Sequence, residues 1–270
     1  MCVPGCLQHV QARLSRRSLL GAGALAATAT MLPPPAAAAE ARSFGQVVDL
    51  THTISPEFPT YFGKPGIEIQ DLYTWAEHKL NLKVWTLNEH TGTHIDTPFH
   101  FSEDGASLER LSAESLICPL CVIDIAARAA DNADAQVTPD DLGAWESAHG
   151  PIPAGACVAM NSGWDAFAAS DRFRNADAEG VMHFPGFHPE AVQMLLEGRE
   201  VAGIAVDTLS LDHGISKDFA VHYAWLPAGR WGIECAAGLG TLPPAGATLV
   251  VGAPKVKGAT GAPVRLYALV

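Results

Sequence analysis

Residues 88–101, NEHTGTHIDTPFHF, carry three histidines (His90, His94 and His100) and Asp96, all at even positions, around Gly92 and Pro98. Glycine weakens a helix interior and proline breaks it, so the backbone here is steered away from a helix. Helical spacing would in any case align His90 with His94 and leave Asp96 and His100 on other faces. The two-residue period of an extended strand turns all four polar side chains to one side. The stretch is therefore expected to be a strand, or a strand and turn, presenting a polar cluster. Any fold the chain adopts has to give that cluster a protected face.

Short apolar, β-branched runs surround it: GQVVDL, LKVWTLN, LCVIDIA, ACVAMNS, VAGIAVDT and GATLVVGAP, each read as a strand. Helical patterns fall between several of them. TPDDLGAWESAHG opens with Thr138 as a cap, Pro139 at the first helical position and acids in the first turn. HPEAVQMLLEGR repeats the device with Pro189 and Glu190 and ends near Gly198. The alternation makes a mixed α/β domain. No repeat and no linker divides residues 42–270, and 48% hydrophobic content in 270 residues supports one large core. A net charge of −12 argues against nucleic acid or an anionic membrane as partner, because phosphates need clustered Lys and Arg.

The exception in charge is the N-terminus. Arg16 and Arg17 precede an apolar run from Leu19 to Met31, then prolines and small residues suited to cleavage, for instance after Ala39 or Ala41. Residues 1–41 read as an export signal of the twin-arginine type, a route that carries folded proteins to the periplasm or beyond, so that a metal is loaded beforehand. At about 13 residues the run falls short of the roughly 20 that a stable membrane anchor requires. The segment left after cleavage keeps Cys118, Cys121, Cys157 and Cys235. The Cys118/Cys121 pair lies in an apolar strand without a second pair to complete a zinc site, and buried free thiols are the expectation.

Imidazole nitrogens and a carboxylate suit a divalent ion such as zinc or manganese, and a carboxylate can bridge two ions. The competing reading is a hydrogen-bonded network in the core. HTGTHIDTPFHF also resembles the His-x-Gly-Thr-His-x-Asp-x-Pro-x-His signature of the cyclase family of metal-dependent hydrolases, which has formamidase-like and isatin hydrolase-like members. VVDLTHTISPEFPTY, NSGWD and IAVDTLSLDHG resemble further segments of that family. The resemblance covers nearly all of residues 45–255. It implies that His90, His94 and Asp96 are metal ligands and that His100 is the catalytic acid/base. It also implies that His222 and Glu234, twelve residues apart, complete a site of one or two zinc or manganese ions. A barrel-like or swivelling β core flanked by helices, and a homodimer with substrate sites near the interface, follow from the same resemblance.

The chemistry is coherent on physical grounds. An ion acidifies its water and polarises a carbonyl, and the leaving nitrogen then needs a proton, which His100 is suited to supply. The expected activity is that of a secreted hydrolase opening the C–N bond of a small amide or cyclic amide, an aryl formamide or an isatin-like lactam. The alternatives are an esterase or lactonase on the same site, or a periplasmic metal-binding protein without turnover. Phe62, Trp85 and Trp164 are candidates for an aromatic substrate pocket, with core packing as the competing role. Asp207, Asp212 and His213 follow a strand, where loops carry function, and each is equally suited to capping a turn or hydrogen-bonding a ligand. His52 and His183 are read as structural or substrate-adjacent. The absence of Gly-x-Ser-x-Gly leaves nothing to support a serine hydrolase of the α/β-hydrolase type.

Overall fold

The computed structural model describes residues 44–270; the expected export signal lies outside them. In chain order the strands are β1 (Val47–Asp49), β2 (Ile67–Tyr73), β3 (Leu82–Leu87), β4 (His94–Asp96), β5 (Ile117–Asp124), β6 (Gln136–Val137) and β7 (Cys157–Asn161). They continue with β8 (Gly186–Phe187), β9 (Gly203–Val206), β10 (Trp231–Glu234), β11 (Ala247–Gly252), β12 (Gly261–Pro263) and β13 (Arg265–Leu269). Five α-helices accompany them among the described residues: α1 (Trp75–His78), α2 (Ala126–Asp131), α3 (Pro139–His149), α4 (Pro189–Gly198) and α5 (Ala220–Trp225). All six runs read as strands fall on strands, and both helical patterns fall on α3 and α4. The caps work as their chemistry dictates. Thr138 donates its backbone N–H and its hydroxyl to Asp141 at 2.7 and 2.8 Å, and the ring of His188 accepts from the N–H of Glu190.

Nine strands form one mixed sheet in the order β1-β13-β11-β5-β7-β9-β10-β4-β12. Its centre, β5-β7-β9-β10, is parallel, and both flanks are antiparallel. β7, β9 and β10 are buried along their whole length, as parallel strands covered on both faces should be. Alternate residues divide between two cores. Val158, Met160, Ile204 and Val206 pack on Leu142, Trp145, Leu195 and Trp225 of the helices. Cys157, Ala159, Ala205 and Ile233 face the other way, with Ile95, Leu249 and Leu266. Small residues on that inner side let the sheet curl; at Gly203 a Cβ would stand 2.2 Å from the Trp231 ring.

The curl is tight enough that one stretch of chain serves both ends of the sheet. β12 pairs with β4 at one edge, and one residue later β13 lies between β1 and β11 at the other. The intervening Val264 donates its N–H to the carbonyl of Thr93 at 2.9 Å, tying the turn to the residue before β4. The result is a curled half-barrel with helices on its outer face. The β2–β3 hairpin stands apart from it, with nearly every residue exposed.

Candidate metal centre

The parallel strands end at Asp124, Asn161, Val206 and Glu234, and the cluster gathers at the end that carries Glu234. β4 runs antiparallel to β10 in a register that sets His94 directly opposite Glu234 and Asp96 opposite Gly232. His94 and Asp96 thus share a face while Ile95 enters the core. The extended reading of residues 88–101 holds over only these three residues. Gly92, at φ +65°, turns the chain so that His90 folds back over Asp96, and Pro98 opens a 3-10 turn, Pro98–Phe101, that swings His100 over the same spot. The rings of His90 and His100 stack with centroids 3.9 Å apart. Gly261, opposite Asp96 in β12, makes room for this, since a Cβ there would lie 2.7 Å from the His90 ring.

His222 comes from α5. Phe219 takes a left-handed backbone, φ +50°, just before the helix, and Asp212 caps the first turn from outside, accepting from the N–H groups of Val221 and His222 at 2.9 and 3.2 Å. The same carboxylate accepts from Nδ1 of His222 at 2.6 Å. Asp212 therefore fixes both the helix and the ring that the helix carries.

Hydrogen bonding sets the protons. Nδ1 of His94 donates to the carbonyl of Gly92 at 2.8 Å. The Thr260 hydroxyl donates to Glu89 at 2.5 Å and so accepts from Nε2 of His90 at 3.0 Å. Each of the three rings thus spends one nitrogen on a partner outside the cluster and aims the other inward. Inside, Nδ1 of His90 lies 2.7 Å from Asp96 Oδ1. Nε2 of His94 lies 3.4 Å from Asp96 and 3.3 Å from Glu234, and Nε2 of His222 lies 3.1 Å from Glu234 and 3.5 Å from Asp96. His94 Nε2 and Asp96 Oδ2 are buried without any hydrogen-bond partner. Without protons these nitrogens and oxygens set lone pairs against lone pairs, so the arrangement calls for a cation, a proton or a metal ion.

Burial opposes charge on these groups, yet the carboxylates beside them, Asp212 for His222 and Asp96 and Glu234 for both rings, hold His94 and His222 well above the ordinary histidine range. Burial likewise opposes ionisation of Asp96, and the three histidines overcome it to hold the carboxyl well below its usual range. Two donor sets meet the spacing for an ion, His90 with Asp96 and His100, and His94 with Asp96 and Glu234. Asp96 belongs to both. The donors present fit a divalent metal.

Above the cluster is a cavity of about 290 Å³, walled by Tyr61, Phe62, Phe101 and Phe219 beside Leu209 and Ser210. Phe62 lies in this wall, largely exposed. The other two aromatic candidates do not. Trp164 is core: its indole N–H donates to the carbonyl of Phe173 at 3.0 Å and its ring packs among Phe173 and Phe184. Trp85 stands on the exposed hairpin, 66% accessible, and is not among the residues lining the cavity. Tyr61, Phe101 and Phe219 went unnoticed in the sequence, although Phe101 follows His100 and Phe219 precedes His222 by one short turn. Asp207 ties strand ends together, accepting from Ser162 and from the backbone of Trp164, and burial pushes its pKa up to about 7. His52 packs against Phe58 and Phe173, and His183 bonds Asp134 near the surface. The four cysteines of the described residues are buried and unpaired.

Comparison with known proteins agrees with this architecture. The Cyclase family model, described as "Putative cyclase", matches residues 48–213. An isatin hydrolase from Roseibium aggregatum is 33% identical over 83% of this chain and 92% of its own. A kynurenine formamidase from Salinibacter ruber is 25% identical over 81% of this chain and 95% of its own. The solved structure of isatin hydrolase A from Ralstonia solanacearum matches with a TM-score of 0.78 at 36% identity, covering 83% of this chain and 92% of that one. The family model spans more than half the chain, and the relatives span the whole described domain but its margins; the chain belongs to the cyclase family.

Proposed function

We propose that the chain is a metal-dependent hydrolase that opens the C–N bond of a small aryl amide, a lactam before a formamide. The observation that carries the reading is the crowd of inward lone pairs around Asp96, opening onto an aromatic-walled cavity. His90, His94, Asp96, His222 and Glu234 would hold one or two ions of zinc or manganese. A divalent ion there supplies an acidified water and an electrophile for a carbonyl oxygen. The aromatic wall sandwiches a flat substrate and keeps bulk water away. His100 lines the cavity, and burial pushes its pKa down to about 4, so the ring enters the reaction neutral. It can take the proton released by the attacking water and return it to the leaving nitrogen. The names isatin hydrolase and kynurenine formamidase put a cyclic and an open aryl amide in one family, and the higher identity to the former favours the lactam.

The test is elemental analysis of protein purified without chelator, with hydrolysis assays on isatin and N-formylkynurenine. Bound zinc or manganese with ring opening is expected. Absence of metal and of turnover after either ion is restored would overturn the reading. A homodimer is proposed on the β2–β3 hairpin, where Leu72, Trp75, Leu82 and Trp85 are exposed on a two-stranded unit that does not cover its own apolar surface. Light scattering at micromolar concentration should give twice the chain mass, and a monomer there excludes it. Export is proposed on Arg16 and Arg17 with the apolar run behind them. Replacing both arginines with lysine should hold the protein in the cytoplasm, and unchanged export would rule out the twin-arginine route.

A further inference from the structure

Ser210 lies in the loop after β9, at the same end of the parallel strands as Glu234. Its backbone is pinned on both sides. Thr208 donates its hydroxyl to the Ser210 carbonyl at 3.2 Å, and the next N–H, that of Leu211, donates to Glu234 Oε1 at 3.0 Å. The residue is 3% exposed and lines the cavity, yet its hydroxyl has no hydrogen-bond partner. Buried hydroxyls are seldom left unmade, because the lost hydration is not recovered. Thr60, also in the cavity wall, has already committed its hydroxyl to the carbonyl of Lys64 at 2.6 Å. The polar floor below consists of acceptors, the carboxylates of Asp96 and Glu234 and inward ring nitrogens. A substrate carbonyl oxygen that is not taken by an ion therefore finds its donor in the wall, where the hydroxyls of Ser210 and Tyr61 remain.

We propose that Ser210 is a substrate-binding residue whose hydroxyl donates to a carbonyl oxygen of the bound amide. The proposal rests on the amide-hydrolase reading above. A single hydrogen bond made equally in the bound substrate and in the transition state moves KM and leaves kcat alone.

The experiment compares zinc- or manganese-loaded wild type and Ser210→Ala on isatin, reading kcat and KM separately with metal content and melting temperature alongside. The variant should show KM raised roughly three- to tenfold, kcat within about twofold, unchanged metal and an equal or higher melting temperature. Opposite movement of stability and KM is what a purely structural serine would not produce. Unchanged KM, a loss confined to kcat, or loss of metal in the variant would each overturn the proposal while leaving the amide-hydrolase reading in place. Wild type that opens neither isatin nor N-formylkynurenine removes both, and that outcome is visible before any variant is compared.

Discussion

Around Asp96, inward ring nitrogens and carboxylate oxygens crowd within 2.7–3.5 Å of one another, each ring fixed from behind by Thr260, Gly92 or Asp212. Across the cavity, Tyr61, Phe62, Phe101 and Phe219 touch only through ring contacts, with centroids 5.4–5.9 Å apart. The floor is over-determined: removing one group leaves a buried charge or lone pair without an answer. The wall is a packing surface that loses contact area by degrees. Damage to the floor should therefore be abrupt and damage to the wall graded.

The largest effect belongs to His94, whose Nε2 faces both carboxylates of one donor set. His94→Ala is expected to lose metal and activity together, the activity by about a thousandfold or more. His100→Ala is the informative companion. It should keep most of the metal and lose about 10²- to 10⁴-fold in kcat, the range for removal of a general acid/base. Equal metal loss in the two variants would make His100 a ligand and end its acid/base role. Asp212→Asn comes next, because it keeps a capping oxygen for α5 but removes the charge behind His222. Metal affinity should weaken by about ten- to a hundredfold, read by competition with a chelating dye. Affinity unchanged by the substitution would mean that His222 is oriented by the helix alone.

Softening the wall should be milder. Phe219→Leu keeps an apolar side chain at a left-handed position and is expected to raise KM about three- to tenfold with metal content unchanged. A loss as deep as that of His100→Ala would show that wall and floor are not separable.

The same contrast governs what could be read in the sequence. His90, His94, Asp96 and His100 were legible as a cluster because few residue types bind metal and all four fall at even offsets in one short stretch, whereas His222 and Glu234, twelve apart on α5 and β10, were reached only through the family resemblance. Asp212 was legible only as one of several acids after a strand, since its role depends on where α5 begins. The wall was read less well: of the three aromatic candidates Phe62 lines the cavity while Trp85 and Trp164 do not, because a buried aromatic in the core and one lining a cavity look alike without tertiary context. The period of two in residues 88–101 found the cluster but not its geometry, because convergence through Gly92 and Pro98 leaves the same spacing as a straight strand. Pairing of β12 and β13 at opposite ends of one sheet joins residues far apart in the chain, and no local pattern announces it.

A last prediction separates floor from wall by pH. In the metal-free protein His94 and His222 have pKa values raised well above the ordinary 6.5. A group raised on folding stabilises fully below its unfolded pKa, and the contribution is lost as pH climbs through the folded value. Asp96 and Glu234, lowered on folding, give their contribution above about pH 4 and stay constant in this window. His52, His100 and His213, lowered on folding, have given their full contribution about one pH unit above 6.5 and add no slope beyond it. The metal-free melting temperature should therefore fall between about pH 7.5 and 9. Metal needs the same nitrogens without protons, so its affinity rises over that range and the loaded protein gains what the metal-free protein loses. Asp207 and His183 titrate in the same direction away from the cluster, affect both forms alike and cancel in the difference. The gap between loaded and metal-free melting temperatures should widen by at least several degrees. Phe219→Leu should leave that widening unchanged, since the wall carries no proton. A constant gap would mean that the inward lone pairs hold neither protons nor metal, and the floor would then have to be a hydrogen-bonded core.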